Sequence, residues 1–451
     1  PWRLQELKKL GQAFKLPLVA CGGVQLHRRG RRLLQDTLTA IRLGKRIQDS
    51  GFALQANGER YLRSRARLAR LYPRSLLEET LHIAGRCRFS LDELRYEYPD
   101  ELVPESLSPA AHLRRLTEAG MLQRWPGDIP GKIRALVEHE LSLIAELRYE
   151  AYFLTVHDIV QFARSRNILC QGRGSAANSA VCYCLEITAC DPVGGGLLFE
   201  RFLSENRRSW PDIDIDFPSG DRREAVIQHV YRKYAPRGAA MTANVITYRP
   251  RSAFREMSKV LGFPESIADR FSEIGSSGTA GLQTGPNSPP SQCASDSPPI
   301  TNDHSLITRF REVGIDHHPR LAPLAHLYES VLTFPRHLGQ HSGGMIICDT
   351  GLDAVVPLQP AAMPGRTIVQ WDKDDCEDLG IVKVDLLGLG MLAAMEDALH
   401  VCRQRGHPVD LARIPKDDPA VFDLLGRADT IGTFQVESRA QMATLPIMRP
   451  K

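Results

Sequence analysis

The sequence predicts an α+β protein of several domains, with helix-rich regions and separate strands. Three observations point to this class. The chain has 451 residues, too many for one ordinary hydrophobic core. Residues 75–150 are helix-rich, and Leu136, Glu140, Leu143, Ile144 and Leu147 fall on one mostly apolar face. Separate strand signals recur at 212–217, 243–247, 344–348 and 381–387.

Taken in chain order, residues 1–45 are expected to run helix, short strand, loop and helix. Leu16-Pro17-Leu18-Val19-Ala20-Cys21 is the apolar strand, and Gly22-Gly23 breaks it. Tyr152-Phe153-Leu154 and Ile159-Val160 extend the apolar character of the helical stretch. A brief apolar run, Ile168-Leu169-Cys170, then enters Gln171-Gly172-Arg173-Gly174-Ser175, and a helix-like stretch follows over 176–185. Residues 275–302 are rich in Ser, Pro and Gly and cannot bury enough apolar surface to order themselves, so a disordered loop is expected there.

Composition excludes several classes. The chain is 43% apolar and 24% charged, which is ordinary globular usage. It has no run of eighteen apolar residues, so no membrane-spanning helix is expected. Its first residues lack the apolar core of a signal peptide, and without an initiator Met the chain is expected to be a piece of something larger. None of the ten cysteines forms a C-x-x-C pair, so zinc is not expected. Cys182 and Cys184 read as buried thiols in a reducing cytoplasm. The net charge of +4 permits nucleic-acid binding without requiring it. Arginines cluster at 28, 29, 31 and 32, at 60, 63, 65, 67, 70 and 74, and at 249, 251 and 255. Each cluster suits backbone phosphates or a solvated helix face.

The most informative segment is Pro211-Asp212-Ile213-Asp214-Ile215-Asp216-Phe217. Alternation at the strand period sends Ile213, Ile215 and Phe217 into a core and lines Asp212, Asp214 and Asp216 on the other face. Such a row of carboxylates repels itself unless a cation bridges it. Hard divalent cations take one or two carboxylates plus substrate phosphates, and two-metal phosphoryl transfer needs this arrangement. An edge strand using charge against aggregation explains the same spacing. A calcium loop does not, because β-branched residues fill the spacers and Phe217 follows.

Gly172-Arg173-Gly174-Ser175-Ala176-Ala177 follows a short strand and opens a helix, where backbone N–H groups can cradle phosphate. It has no Gly-Lys-Ser/Thr and is not a P-loop. It does match G-x-G-x-x-A, which leaves a dinucleotide-dependent enzyme as an alternative. A third carboxylate appears in Val382-Lys383-Val384-Asp385-Leu386, where Asp385 is an isolated charge in an apolar strand. A lone buried Asp is costly unless paired or bound to metal. Lys383, on the same face, can pair with it or meet a triphosphate oxygen.

Taken together, Gly172-Arg173-Gly174-Ser175, Leu197-Leu198-Phe199-Glu200-Arg201-Phe202-Leu203, the 211–217 strand, Gln370-Trp371-Asp372-Lys373-Asp374-Asp375, Lys383-Val384-Asp385-Leu386-Leu387-Gly388 and Phe434-Gln435-Val436-Glu437-Ser438-Arg439 resemble the bacterial C-family DNA polymerases, the DNA polymerase III alpha subunit family. Cys170-Gln171-Gly172-Arg173-Gly174-Ser175-Ala176-Ala177-Asn178-Ser179 resembles the error-prone, damage-inducible branch. The resemblance implies a multidomain polymerase core with a nucleotidyltransferase-type, mixed-sheet palm like that of the X-family polymerases, flanked by helical regions. It implies template-directed, translesion-type addition of dNTPs to a primer 3′-hydroxyl. By motif, Asp212, Asp214 and Asp385 would be catalytic and hold two Mg²⁺ ions, and Gly174, Ser175, Arg201 and Lys383 would bind the dNTP triphosphate. An ion pair with Glu200 is the plainer reading of Arg201. Implied partners are primer-template DNA, dNTPs, a sliding clamp and damage-tolerance accessory proteins, with no membrane, no zinc and no organic cofactor.

The implied organisation is the end of a PHP domain over 1–80, the first part of the palm over 81–243, and a thumb-like region over 244–325. The second part of the palm follows over 326–390, and the start of the fingers over 391–451. The late PHP ligand motif is replaced by Gly22-Gly23-Val24-Gln25, so no metal is expected there. Gln340-His341-Ser342-Gly343-Gly344 is expected as a turn, with His341 packed in it or touching DNA. Because the implied family is truncated at both ends here, an inactive product or a weak DNA-binding fragment is the alternative to an enzyme.

Overall fold

The computed structural model describes residues 2–99, 103–104, 106–203, 210–277, 310–312, 314–315, 317–349, 351–409, 411, 414 and 418–450. The chain divides into two compact units: Pro1–Glu93 with Val245–His337, and Leu94–Asn244 with Leu338–Lys451.

In the first unit, the helix Pro250–Leu261 begins on Pro250, whose missing N–H costs nothing in the first turn. It ends on Gly262 in the left-handed region. Its inner face buries Phe254 and Met257 against Phe271, Phe310, Leu324 and Leu327. Phe254 and Phe271 stack with ring centroids 3.7 Å apart. The helix Glu265–Ser277 carries the first three residues of the 275–302 stretch, and the rest of that stretch lies outside the described residues.

Leu16–Cys21 is not a strand. Pro17 lacks a ladder donor, Leu16 and Val19 are exposed, and Ala20 N–H donates to a helical neighbour, the Leu76 carbonyl, rather than to a strand.

The second unit is built on one mixed sheet of seven strands among the described residues. These are β1 (Gln171–Arg173), β2 (Asp214–Pro218), β3 (Ala239–Thr247), β4 (Pro335–Ile347), β5 (Leu358–Pro360), β6 (Thr367–Val369) and β7 (Lys383–Leu389). Their spatial order is β1-β2-β7-β4-β3-β6-β5. The mixed sheet with many helices expected from the sequence is therefore what forms. β2 and β7 pair in parallel although some 170 residues of chain separate Asp214 from Asp385.

One large core joins the sheet to the helices Pro109–Arg124, Gly131–Glu146 and Glu150–Ser165. The helix Asp221–Lys233 packs on β2 and β7. The expected helical face is borne out: Glu140, Leu143 and Ile144 are buried, and Leu136 and Leu147 pack at its margin. Cys182 and Cys184 are buried free thiols.

Three further details correct the sequence reading. The strand expected at Ile168–Cys170 begins three residues later, at Gln171, so the Gly172-Arg173 pair is strand rather than loop. The helix expected over 176–185 is a 3-10 turn, Gly174–Asn178, followed by a short helix, Ala180–Cys184. The turn expected at 340–344 is part of β4. There, small residues let β4 lie against β7, and a Cβ on Gly343 would collide with the Leu387 side chain.

Candidate active site

β2 and the two residues that lead into it build the site by simple alternation. Ile213, Ile215 and Phe217 are fully buried, while Asp212 is exposed and Asp214 half-buried on the opposite face. Parallel pairing sets Asp214 directly beside Asp385 of β7. One carboxylate oxygen from each of Asp212, Asp214 and Asp385 lies within 4.8 Å of the other two. Among the described residues this is the one such group of potential metal ligands.

The site is also electrostatically loaded. Burial first, then the charges of Asp212 and Asp385, push the Asp214 carboxyl up to about 6. Lys383 Nζ bonds Asp385 Oδ2 and lies 3.6 Å from Asp212 Oδ1. Burial acts to lower the Lys383 pKa, but the Asp385 bond and the surrounding acidic charges outweigh it, and the value is raised. Asp385 Oδ1 and Asp216 Oδ1 are buried without a hydrogen-bond partner. A buried carboxylate oxygen left bare is costly. Three converging carboxylates with a bare inner oxygen suit a hard divalent cation, which takes oxygen ligands.

Asp216 sits apart from the three. Its Oδ2 lies 3.5 Å from Arg173 Nε, while Arg173 Nη2 lies 3.6 Å from Asp214 Oδ2. Antiparallel β1–β2 register sets Arg173 opposite Asp214. The sequence reading quoted Arg173 inside a glycine motif and gave it no role. Arg173 closes β1, and only the antiparallel register brings it to the acidic strand.

His341 Nδ1 accepts from the Gly344 N–H at 2.7 Å. Its lone pair is therefore engaged, and the contact of that nitrogen with Asp385 Oδ1 at 3.7 Å is not an ion pair. Burial, with Lys383 and Lys373, lowers the His341 pKa, consistent with a neutral ring. A cleft of about 290 Å³ opens beside the carboxylates, lined by Trp210, Asp212, Lys373 and Lys383 among others.

Gly174 and Ser175 begin the 3-10 turn that follows β1. Gly174 has φ +71°, which favours glycine. Arg201 is exposed at the end of the turn Phe199–Arg201, which packs against the Gly174–Asn178 turn.

Tyr152 shows in the sequence only as part of an apolar helical stretch. It is fully buried, and its hydroxyl accepts from the Ile213 N–H at 3.0 Å, fixing the peptide between Asp212 and Asp214. No spacing rule links a helical tyrosine to a strand 61 residues away. Tyr152→Phe strands a buried N–H, a loss of roughly 1–3 kcal/mol. It is expected to weaken Mn²⁺ binding roughly tenfold, as lost outer-shell support does, and a Mn²⁺ titration of both forms checks this.

The Asp214 shift has its own consequence. Its folded pKa of about 6 lies above the ordinary 3.8. A carboxyl raised in this way contributes stability that is present below the unfolded value and lost as pH rises from about 4 to about 6. In EDTA at about pH 8, Asp214→Asn is expected to be more stable by about 1 kcal/mol, a figure discounted for the exposed half of the side chain. The gain vanishes near pH 4, and denaturation midpoints at the two pH values measure it.

The bacterial DNA polymerase III alpha NTPase domain matches residues 111–388 of this chain. The chain belongs to the DNA polymerase III alpha family. The finger domain of the same subunit matches residues 391–451. Over its whole length the chain is 53% identical to an error-prone DNA polymerase of Methylococcus capsulatus and 51% identical to one of Alkalilimnicola ehrlichii. It is 48% identical to one of Pseudomonas aeruginosa. It spans 41%, 42% and 42% of those proteins. The resemblance to the error-prone branch of the family therefore holds across the whole chain. No helix among the described residues is long and apolar enough to cross a membrane.

Proposed function

We propose that this chain carries the catalytic centre of a template-directed DNA polymerase of the error-prone, translesion type. The observation that supports it best is the convergence of Asp212, Asp214 and Asp385, from strands remote in the chain, within 4.8 Å. Asp212, Asp214 and Asp385 would hold Mg²⁺. A divalent cation held there would supply activation of a primer hydroxyl and neutralisation of charge on the transferred phosphoryl group.

The remaining roles belong to the protein's own groups. Gly174 and Ser175 present backbone N–H groups at the start of a turn, suited to triphosphate oxygens. Lys383 keeps its proton through its acidic neighbours and supplies a fixed positive charge beside Asp212 and Asp385. Arg201, exposed on the adjoining turn, would be a second phosphate contact. Arg173 divides its charge between Asp214 and Asp216, restraining the strand that bears the carboxylates.

The substrates in this reading are primer-template DNA and dNTPs. Error-prone copying rests on the name of the relatives, and tolerance of damaged template on the family resemblance. A sliding clamp, damage-tolerance proteins and a cytoplasmic setting rest on the family resemblance. Within the chain, the proposal divides residues into a PHP end over 1–80, palm over 81–243 and 326–390, a thumb-like region over 244–325 and the start of the fingers from 391.

Primer extension with Mg²⁺ tests the reading. Incorporation directed by the template base, abolished by EDTA, supports it. Extension that persists in EDTA contradicts it.

A further inference from the structure

Glu140 is the one charged side chain on the buried face of the helix Gly131–Glu146, and it is fully buried. Its carboxylate is spent entirely on the segment that leaves the glycine turn. Oε1 accepts from the Ala180 N–H at 2.9 Å. Oε2 accepts from the Ser179 hydroxyl at 2.7 Å and from the Val181 N–H at 3.0 Å. The Ser179 oxygen in turn accepts from the Cys182 N–H at 3.0 Å, capping the helix Ala180–Cys184. One turn back, the Asn178 side chain donates to the Ser175 carbonyl at 2.8 Å, and the Ser179 N–H donates to the Ala176 carbonyl at 3.1 Å. A continuous set of bonds thus runs from Glu140 through Ser179 and the 3-10 turn to Ser175.

A carboxylate in an apolar core is expensive. Apolar packing would serve the helix Gly131–Glu146 better if holding that helix in place were the only requirement. Burial raises the Glu140 carboxyl to about 7, with the bonds from Val181, Ala180 and Ser179 opposing the rise. All three donors lie on one short segment, which identifies what the buried charge holds.

We infer that Glu140 is a positioning residue that fixes the Gly174–Ser175 turn in the conformation that binds the nucleotide triphosphate. It touches no substrate and acts through Ser179. The inference rests on the reading of that turn as the triphosphate site.

Glutamine at 140 keeps the volume but replaces one acceptor oxygen by a donor, so at least one of the three bonds is lost. Calorimetric titration with dATP and Ca²⁺ is expected to show Glu140→Gln weakened roughly tenfold, as lost outer-shell support does. Mn²⁺ affinity at the three aspartates should stay within about twofold. In primer extension the KM for the nucleotide should rise with little change in kcat, the pattern of lost binding that is uniform through the reaction. General damage to the fold would lower Mn²⁺ and dATP affinity together.

Ser175→Pro removes a backbone N–H at the start of the turn, where proline is tolerated, and separates the two readings. If neither Ser175→Pro nor Glu140→Gln weakens dATP, the triphosphate reading of the turn falls and the inference falls with it. If Ser175→Pro weakens dATP and Glu140→Gln does not, the inference alone is overturned. Should Glu140→Gln fail to fold, Ser179→Ala removes one of the two Oε2 partners instead. Weakened dATP binding by that variant supports the inference, and unchanged binding overturns it.

Discussion

Replacing Asp212 and Asp214 together by alanine is expected to lower nucleotide incorporation by roughly 10³-fold or more, because two of the three groups that would hold the cations are removed. Duplex binding should remain measurable. The electrostatic attraction to phosphate comes from arginines and lysines elsewhere, and removing two negative charges raises the net charge from +4 to +6. The fold should tolerate the change. Asp212 is exposed and Asp214 half-buried, and the charged form of Asp214 is disfavoured where it sits. A variant that is inactive, stable and still binds DNA is the expected combination. Near-normal extension by the double variant would end the catalytic assignment.

The second large effect concerns the other face of the same strand. Phe217→Ala is expected to cost about 3–5 kcal/mol, the range for removing a large aromatic side chain from a packed core. Phe217 is fully buried in the core that joins β2 to the helices, alongside Ile213 and Ile215. Its backbone pairs with Gly388 of β7, three residues beyond the Asp214–Asp385 pair. Loss of packing there loosens the strand pairing that brings the carboxylates together, so Mn²⁺ affinity should fall with stability. Leu198→Ala provides the contrast: Leu198 is exposed, and its truncation should change stability by less than about 0.5 kcal/mol. Urea unfolding curves of the two variants give the comparison.

Much of the candidate site was legible in the sequence because alternation is a strong signal. Three buried apolar residues interleaved with aspartates at 212–217 can fold in few ways other than a strand with one acidic face. The isolated Asp385 was legible for a related reason. A charge in an apolar run needs a partner, and Lys383 two residues earlier is that partner.

What the sequence could not show was contact across the fold. The pairing of Arg173 with Asp214 depends on antiparallel register, and the pairing of Asp214 with Asp385 on two strands meeting in parallel. The Tyr152 bond to Ile213 depends on how a helix seats against the sheet.

Strands β5 and β6 were missed because three residues are too few to show a period. Leu16–Cys21 failed in the opposite direction. It has strand composition, but a proline and exposed side chains leave it without a ladder. The glycines at 343 and 344 read as a turn because glycine marks turns, yet here they serve close approach between β4 and β7. Glu140 was visible as a polar interruption of an apolar helical face, but its meaning came only with its three partners on the segment after the glycine turn.

Anomalous scattering from crystals soaked in Mn²⁺ would reach most directly to the centre of the account. Peaks bounded by the carboxylates of Asp212, Asp214 and Asp385, and absent in the Asp212→Ala, Asp214→Ala protein, are the predicted result. Manganese bound elsewhere, with these three side chains bare at millimolar metal, would contradict it.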